Sequence, residues 1–332
     1  MNKIKIAVIG ANSFSGASFI DFALTNDFSV IGISRSEQPN DVFLPYSRNV
    51  NKTGDFSFHQ LDINNDIDEI ISLINQEKPE YIFNFAAQSM VAESWEFPEQ
   101  WFTTNAVSTT ILFNRLKDCK FIKKYVHVTT PEVYGSCSGY VLEDTAYNPS
   151  TPYAASRAAG DISLKTFVDN YNFPAVSTRA ANVYGPGQQL YRIIPRTILY
   201  IRQGKKLQLH GGGLSERSFI HMDDVSDATM KIALKGKIGE TYHISTKSSI
   251  TIKGLVNLIC DRMNVEFGKH VDIVDDRPGK DAAYLLASEK LRDSLSWEDS
   301  ISLNQGIGNV IEWVDSNIDI LEQQADHYIH KA

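Results

Sequence analysis

Three cysteines, Cys119, Cys137 and Cys260, occur among 332 residues, and no CxxC spacing links them. So sparse and odd a set excludes a disulfide framework and reads as reduced thiols of a cytoplasmic protein; no metal site is expected. Long apolar runs are missing as well. The opening MNKIKIAVIGANSFSG turns into Gly and polar residues too soon for a signal peptide or a membrane span. A basic stripe is also lacking. Lys and Arg number 32 against 40 Asp and Glu, giving a net charge of −8, so nucleic acid is not an expected partner. Internal repeats and low-complexity stretches do not occur. What is plentiful is apolar content, 42% of the chain, enough for one large domain or two fused lobes.

The first half alternates between two textures. Short apolar, β-branched runs stand at 4–10, 29–34, 56–62, 81–86, 124–130 and 175–181. Between several of them, segments 14–24, 66–77, 98–118 and 153–170 show helical apolar spacing. This predicts a Rossmann-type, doubly wound parallel α/β sheet, with ligands beyond the carboxyl ends of its strands. After about residue 182 the texture changes to turn clusters and shorter units. The expected division is a dinucleotide-binding domain over 1–181, to which 220–248 returns, and a smaller mixed α/β substrate lobe over 182–332. The polar tail EQQADHYIHKA reads as a frayed end.

Gly10-Ala11-Asn12-Ser13-Phe14-Ser15-Gly16 follows the first apolar run and opens a helix. Gly10 suits a tight turn, and the small Ser13 lets backbone approach a pyrophosphate. Gly16 allows helix to pack closely on strand, and the helix N-terminus attracts an anion. An unliganded βα turn could show the same glycines; the strand order around it favours a dinucleotide site. The second run ends in Ser34-Arg35-Ser36 with no acidic residue. An acid there would bind a ribose 2′-hydroxyl and an Arg a 2′-phosphate, so NADP is favoured and NAD is the alternative. Asp62 and Ile63 are placed to meet the adenine.

TPYAASRAAGD, 151–161, sets Tyr153 and Arg157 four residues apart, on one face of a helix. A phenol titrates near pH 10, and a neighbouring cation favours its phenolate, so the pair can take a proton from a sugar hydroxyl. A surface Tyr–Arg pair is the plainer alternative. With TTPEVYG (129–135), the stretch resembles the extended short-chain dehydrogenase/reductase family, in particular its nucleotide-sugar 4,6-dehydratases. NFAAQSMVAESWEFPEQWFTTNAVST, NVYGPG, RIIPRTI, GGGLSERSFIHMDDVSDA and DDRPGKDAAY follow in family order, so the resemblance covers nearly the whole chain.

That resemblance implies roles. Tyr153 takes the O4 proton as hydride leaves C4, Thr130 hydrogen-bonds that oxygen, and Glu132 removes the C5 proton. Water then leaves C6 and the hydride returns there, yielding a 4-keto-6-deoxy nucleotide sugar with the tightly bound cofactor regenerated. Arg157 supports Tyr153 and the nicotinamide ribose. The resemblance further implies Phe14, Ala86, Ala87, Gln88 and Asn105 as cofactor neighbours. Ser89, Asn182, Arg192, Arg217 and Arg277 would contact a nucleotide diphosphate sugar, Arg217 and Arg277 matching its pyrophosphate and Arg192 lying near the base pocket. Three positions depart from the dTDP-glucose branch: Pro131 replaces an Asp that protonates the leaving hydroxyl, Arg157 replaces Lys, and Met90 replaces His. The GDP-mannose branch lacks that Asp too, leaving Glu132 as both base and acid. C4 oxidation alone, epimerisation, uronate decarboxylation, or nucleotide-sugar binding without turnover stay open as alternatives on this fold. The apolar faces of 98–118 and 153–170 suit a homodimer or a cover for their own sheet.

Overall fold

In the computed structural model, which describes residues 3–137, 139–275 and 285–331, seven apolar runs join in one sheet. They are β1 (Lys5–Ile9), β2 (Ser29–Ser34), β3 (Phe56–Gln60), β4 (Tyr81–Asn84), β5 (Lys124–Thr129), β6 (Ala175–Ala180) and β7 (Thr241–Ile244). Their order is β7-β6-β5-β4-β1-β2-β3, and every pairing is parallel. The order reverses between β1 and β4, which creates the crevice where such sheets bind ligands.

Helices α1 (Phe14–Thr25), α2 (Ile67–Glu77), α3 (Thr109–Leu116), α4 (Pro152–Tyr171) and α5 (Met222–Lys235) cover the sheet. Successive strand residues face opposite ways. Ile6 and Val8 therefore pack with Phe19 and Ile20 of α1 and Val225 and Ala228 of α5. Ala7 and Ile9 pack with Ile70 of α2, Leu112 and Phe113 of α3, and Leu164 of α4. Both layers are dry, which is why these strands read as continuous apolar runs.

Segment 98–118 is not the single regular helix its spacing predicts. A short helix, Pro98–Phe102, leads into a π-helical turn, Thr103–Ser108, before α3 begins. The Thr109 hydroxyl donates to the Thr104 carbonyl at 2.9 Å, a side-chain bond that helps hold the widened turn. Such bulges concentrate at functional sites.

After β6 the chain leaves the sheet. Strand Asn182–Tyr184 pairs in parallel with Phe219–His221. A second core gathers around helices Ile193–Arg202, Ile252–Arg262 and Leu303–Ser316, with Ile198, Leu255, Ile259 and Val310 at its centre. Between these helices the chain returns through α5 and β7, and β7 extends the sheet beside β6. Among the described residues no helix is long and apolar enough to cross a membrane.

Candidate active site

The turn after β1 is too tight for side chains at two positions. Gly10 adopts φ +88°, and a Cβ there would lie 2.6 Å from the Ala86 amide nitrogen. A Cβ on Gly16 would lie 2.2 Å from the Gly10 carbonyl oxygen. These glycines let α1, β1 and the end of β4 meet at backbone distance. Ser13 explains why a third glycine is not needed. Its hydroxyl accepts from the Gly16 amide at 3.0 Å and donates to the Gly10 carbonyl at 2.8 Å, capping α1. Asn12 ties this loop to the end of β2, donating to the carbonyls of Ser36 and Glu37. The buried amide oxygen of Asn12 keeps no partner.

Beyond the carboxyl ends of the strands opens a cleft of about 820 Å³. Asn12, Ser13, Phe14, Arg35, Ser36, Ala87 and Gln88 line its dinucleotide side. Thr130, Glu132, Tyr153 and Arg157 line its centre, and Ser89, Asn182, Arg192 and Arg217 its far side. The other positions expected at the cofactor lie behind the wall. Gly10, Gly16 and Ala86 shape the loop from beneath. The Asp62 carboxylate accepts from the Asn64 amide and the Asn65 side chain, and Ile63 is buried in the core near α2. Asn105 is fully buried. Its amide brackets the Gln88 backbone, accepting from the nitrogen at 3.0 Å and donating to the oxygen at 2.9 Å, and it also donates to the Ser156 hydroxyl at 3.0 Å. Arg277 lies outside the described residues.

Local sequence sets the reacting groups. Thr130 follows β5 and caps the 3-10 turn Pro131–Tyr134, its hydroxyl accepting from the Glu132 amide at 3.3 Å. Pro131 fixes the first position of that turn. Thr151 caps α4 and Pro152 starts it, which places Tyr153 in the first turn. Burial pushes the Tyr153 phenol above its ordinary pKa and the Glu132 carboxylate adds to the rise. The charge of Arg157, a hydrogen bond from Thr130 and the charge of Arg192 pull the other way without offsetting it. Cationic support is therefore present as expected, but burial outweighs it.

Arg157 is 2% exposed and donates to the Val128 carbonyl. Its Nε and Nη1 are buried without partners. A guanidinium in the wall of a cleft with two unused donors fits the hydroxyl groups of a ribose. Together with the phosphate-shaped turn at α1, it fits a nicotinamide dinucleotide.

Sequence reasoning missed a buried polar cluster behind these groups. Asp161, one turn beyond Arg157, accepts from Arg179 at 2.7 Å and sits 3.3 Å from His127. Arg179 also donates to the hydroxyls of Tyr134 and Tyr147. The Tyr134 hydroxyl and His243 Nε2 lie 2.7 Å apart, and His243 Nδ1 lies 3.1 Å from the Ala287 carbonyl. That carbonyl can only accept, so the Nδ1 bears the proton and Tyr134 donates to Nε2. Burial alone would raise the Asp161 pKa, but His127, Arg179 and Arg157 hold it at about 2. Burial and Arg179 push His243 down to about 3. The one signal was the i+4 spacing from Arg157 to Asp161. The tail was missed too. Tyr328 and Lys331 line the cleft, so these residues do not fray as their composition predicts.

Comparison with known proteins agrees with this geometry. The sequence profile of the GDP-mannose 4,6 dehydratase family matches residues 7–310. A dTDP-glucose 4,6-dehydratase of Xanthomonas campestris pv. campestris is 29% identical over 333 residues, covering 93% of each chain. The dTDP-D-glucose 4,6-dehydratase of Bos taurus is 34% identical over 251 residues, 74% of this chain and 70% of that one. DesIV, the dTDP-glucose 4,6-dehydratase of Streptomyces venezuelae solved with NAD bound, superposes with a TM-score of 0.87. It is 27% identical, with 95% of this chain and 98% of that one covered. The chain thus belongs to the GDP-mannose 4,6-dehydratase family and is a nucleotide-sugar 4,6-dehydratase of the extended short-chain dehydrogenase/reductase type.

Proposed function

We propose that this 4,6-dehydratase divides its reaction among four residues of the cleft. A bound nicotinamide dinucleotide supplies the hydride acceptor for C4 and the hydride donor for C6 of the sugar. Tyr153 takes the O4 proton as that carbon is oxidised, while Thr130 orients the same oxygen. The resulting ketone makes the C5 proton acidic, and Glu132 removes it. Pro131 offers no proton to the departing C6 hydroxyl, so Glu132 returns the proton it took and water leaves; hydride addition at C6 is then completed by a proton at C5, equivalent to the one that Tyr153 took from O4. Arg157 holds positive charge beside the phenol and aims its two spare donors at the ribose. Arg217 faces the sugar nucleotide's pyrophosphate with Asn182 beside it, Arg192 lies towards the base, and Ser89 towards the sugar. The observation that carries this reading is the convergence of Thr130, Glu132, Tyr153 and Arg157 on one cleft next to the α1 turn.

The sequence favours NADP through Arg35 and Ser36. In the structure Arg35 donates to the Lys331 carbonyl at 2.9 Å, and the similar DesIV was solved with NAD; both observations support NAD instead. Residues 1–181 with 220–248 form the dinucleotide unit, and the rest of 182–332 forms the substrate lobe. Exposed Phe102, Val107, Ile111 and Ile162 on the helical layer support a homodimer through that face. Unpaired cysteines suit the cytoplasm.

Incubation with a panel of nucleoside diphosphate hexoses, dTDP-glucose first, tests the reaction. The expected product has lost one water with no net reduction of the dinucleotide. Loss of carbon dioxide, or reduced cofactor in proportion to product, refutes it. Glu132→Gln should stop water loss yet let the dinucleotide become reduced in a single turnover; full dehydration by that variant sinks the role given to Glu132.

A further inference from the structure

The last described residues lie against the cleft. The His330 ring stacks on Phe97 at 5.1 Å, with ring planes 1° apart, and on Trp101 at 5.4 Å. Its Nε2 is 2.7 Å from the Gln100 side-chain oxygen. Tyr328 packs edge-on against Tyr191 at 5.6 Å. From these anchors the Lys331 carbonyl accepts from Gln88 Nε2 and from Arg35 Nη2, each at 2.9 Å.

Arg35 follows β2 and Gln88 follows β4, the two strands that flank β1. A carbonyl that accepts from both bridges the β1 turn, where the phosphate-shaped loop lies. With the segment in place the cleft still measures about 820 Å³, towards the upper end of ligand pockets at roughly 300–1,000 Å³. The segment therefore bounds the cleft rather than filling it.

We propose that residues 328–331 are the closing wall of the dinucleotide site and retain the dinucleotide through turnover. The inference rests on the reading of this cleft as a dinucleotide site. Its chemical reason is that the hydride taken from C4 must return to C6 of the same sugar. A dinucleotide that leaves between the two halves strands the sugar as a ketone and uncouples the reaction.

The test compares the full chain with one ended after His327, with His330→Ala and with His330→Phe, which keeps the stacking surface. Each is loaded with NADH, and dissociation is followed by NADH fluorescence on dilution into excess NAD. Melting of the cofactor-free chains checks that they fold. Loss of a stacked ring, an edge-on ring and three hydrogen bonds should speed dissociation roughly tenfold in the shortened chain. His330→Ala should move in the same direction, and His330→Phe should restore most of the retention. Free reduced cofactor should appear during turnover by the shortened chain and not by the full one. Equal or slower dissociation from the shortened, folded chain overturns the latch and leaves the site assignment standing. Failure of the full chain to bind NADH at all overturns the site assignment, and the latch with it.

Discussion

Arg157 sets a planar fork where the resemblance implies a compact ammonium. One arm is fixed on the Val128 carbonyl while Nε and Nη1 are buried without partners. Two contributions can be separated. Arg157→Met removes the charge, so the Tyr153 phenolate is disfavoured further. The ascending, acid-side limb governed by that phenol in a kcat/KM profile should move to higher pH, and activity at neutral pH should fall by about 10²–10⁴-fold, the usual worth of a general base. Arg157→Lys keeps the charge and loses the fork, so the limb should stay near its original position while KM for the dinucleotide rises. A profile identical for all three proteins would mean that position 157 does not act on Tyr153. Much of this residue-level picture was legible in the sequence. Thr130, Glu132, Tyr153 and Arg157 do converge on one cleft. The direction of the Tyr153 shift was not legible, because its burial and the charge of Glu132 beside it come from segments distant in sequence that only folding brings close.

At the scale of elements, the widened turn Thr103–Ser108 has the clearest consequence. It seats Asn105 at full burial, where one amide brackets Gln88 and reaches Ser156 on α4. Asn105 thus positions the loop after β4 rather than presenting itself to the cleft. Asn105→Ala leaves the buried amide and carbonyl of Gln88 unpaired, at a cost of about 1–3 kcal/mol. Denaturant melts should show that loss. Dinucleotide affinity should fall alongside, although the side chain faces away from the cleft. Unchanged stability would show that water or a neighbour replaces the amide. Sequence periodicity found helix on both sides of this turn and missed the turn itself. A 3.6-residue pattern cannot register one extra residue per turn, and the hydroxyl of Thr109 that stabilises it reads as ordinary polarity. The tail failed for a related reason. His330 finds its stacking partners at Phe97 and Trp101, far upstream, where no local pattern points.

At the scale of the whole molecule, the buried cluster around Asp161 joins β5, β6, β7 and α4 through ionic and polar groups. His243 is neutral when folded, with a pKa near 3, whereas an unfolded histidine titrates near pH 6.5. Its folded pKa is depressed, so its stabilising contribution is present above about pH 6.5 and is lost as pH falls towards 3. His127 shifts in the same direction through burial. Asp161, held at about 2, loses its contribution only below the ordinary carboxylate range. Unfolding free energy should therefore drop between pH 6.5 and 4.5, by up to about 1.4 kcal/mol per pH unit for each histidine. His243→Gln should flatten that slope; equal slopes would show that His243 titrates alike in both states. β7 has a second consequence. The sheet is closed at β6 by a strand that follows the first part of the other core in the chain. During synthesis the edge of β6 therefore leaves the ribosome long before its partner exists. Until residue 244 has emerged, the nascent chain presents a bare hydrogen-bonding ladder to its neighbours on the polysome, and a chaperone that shields that ladder should raise the yield of native protein.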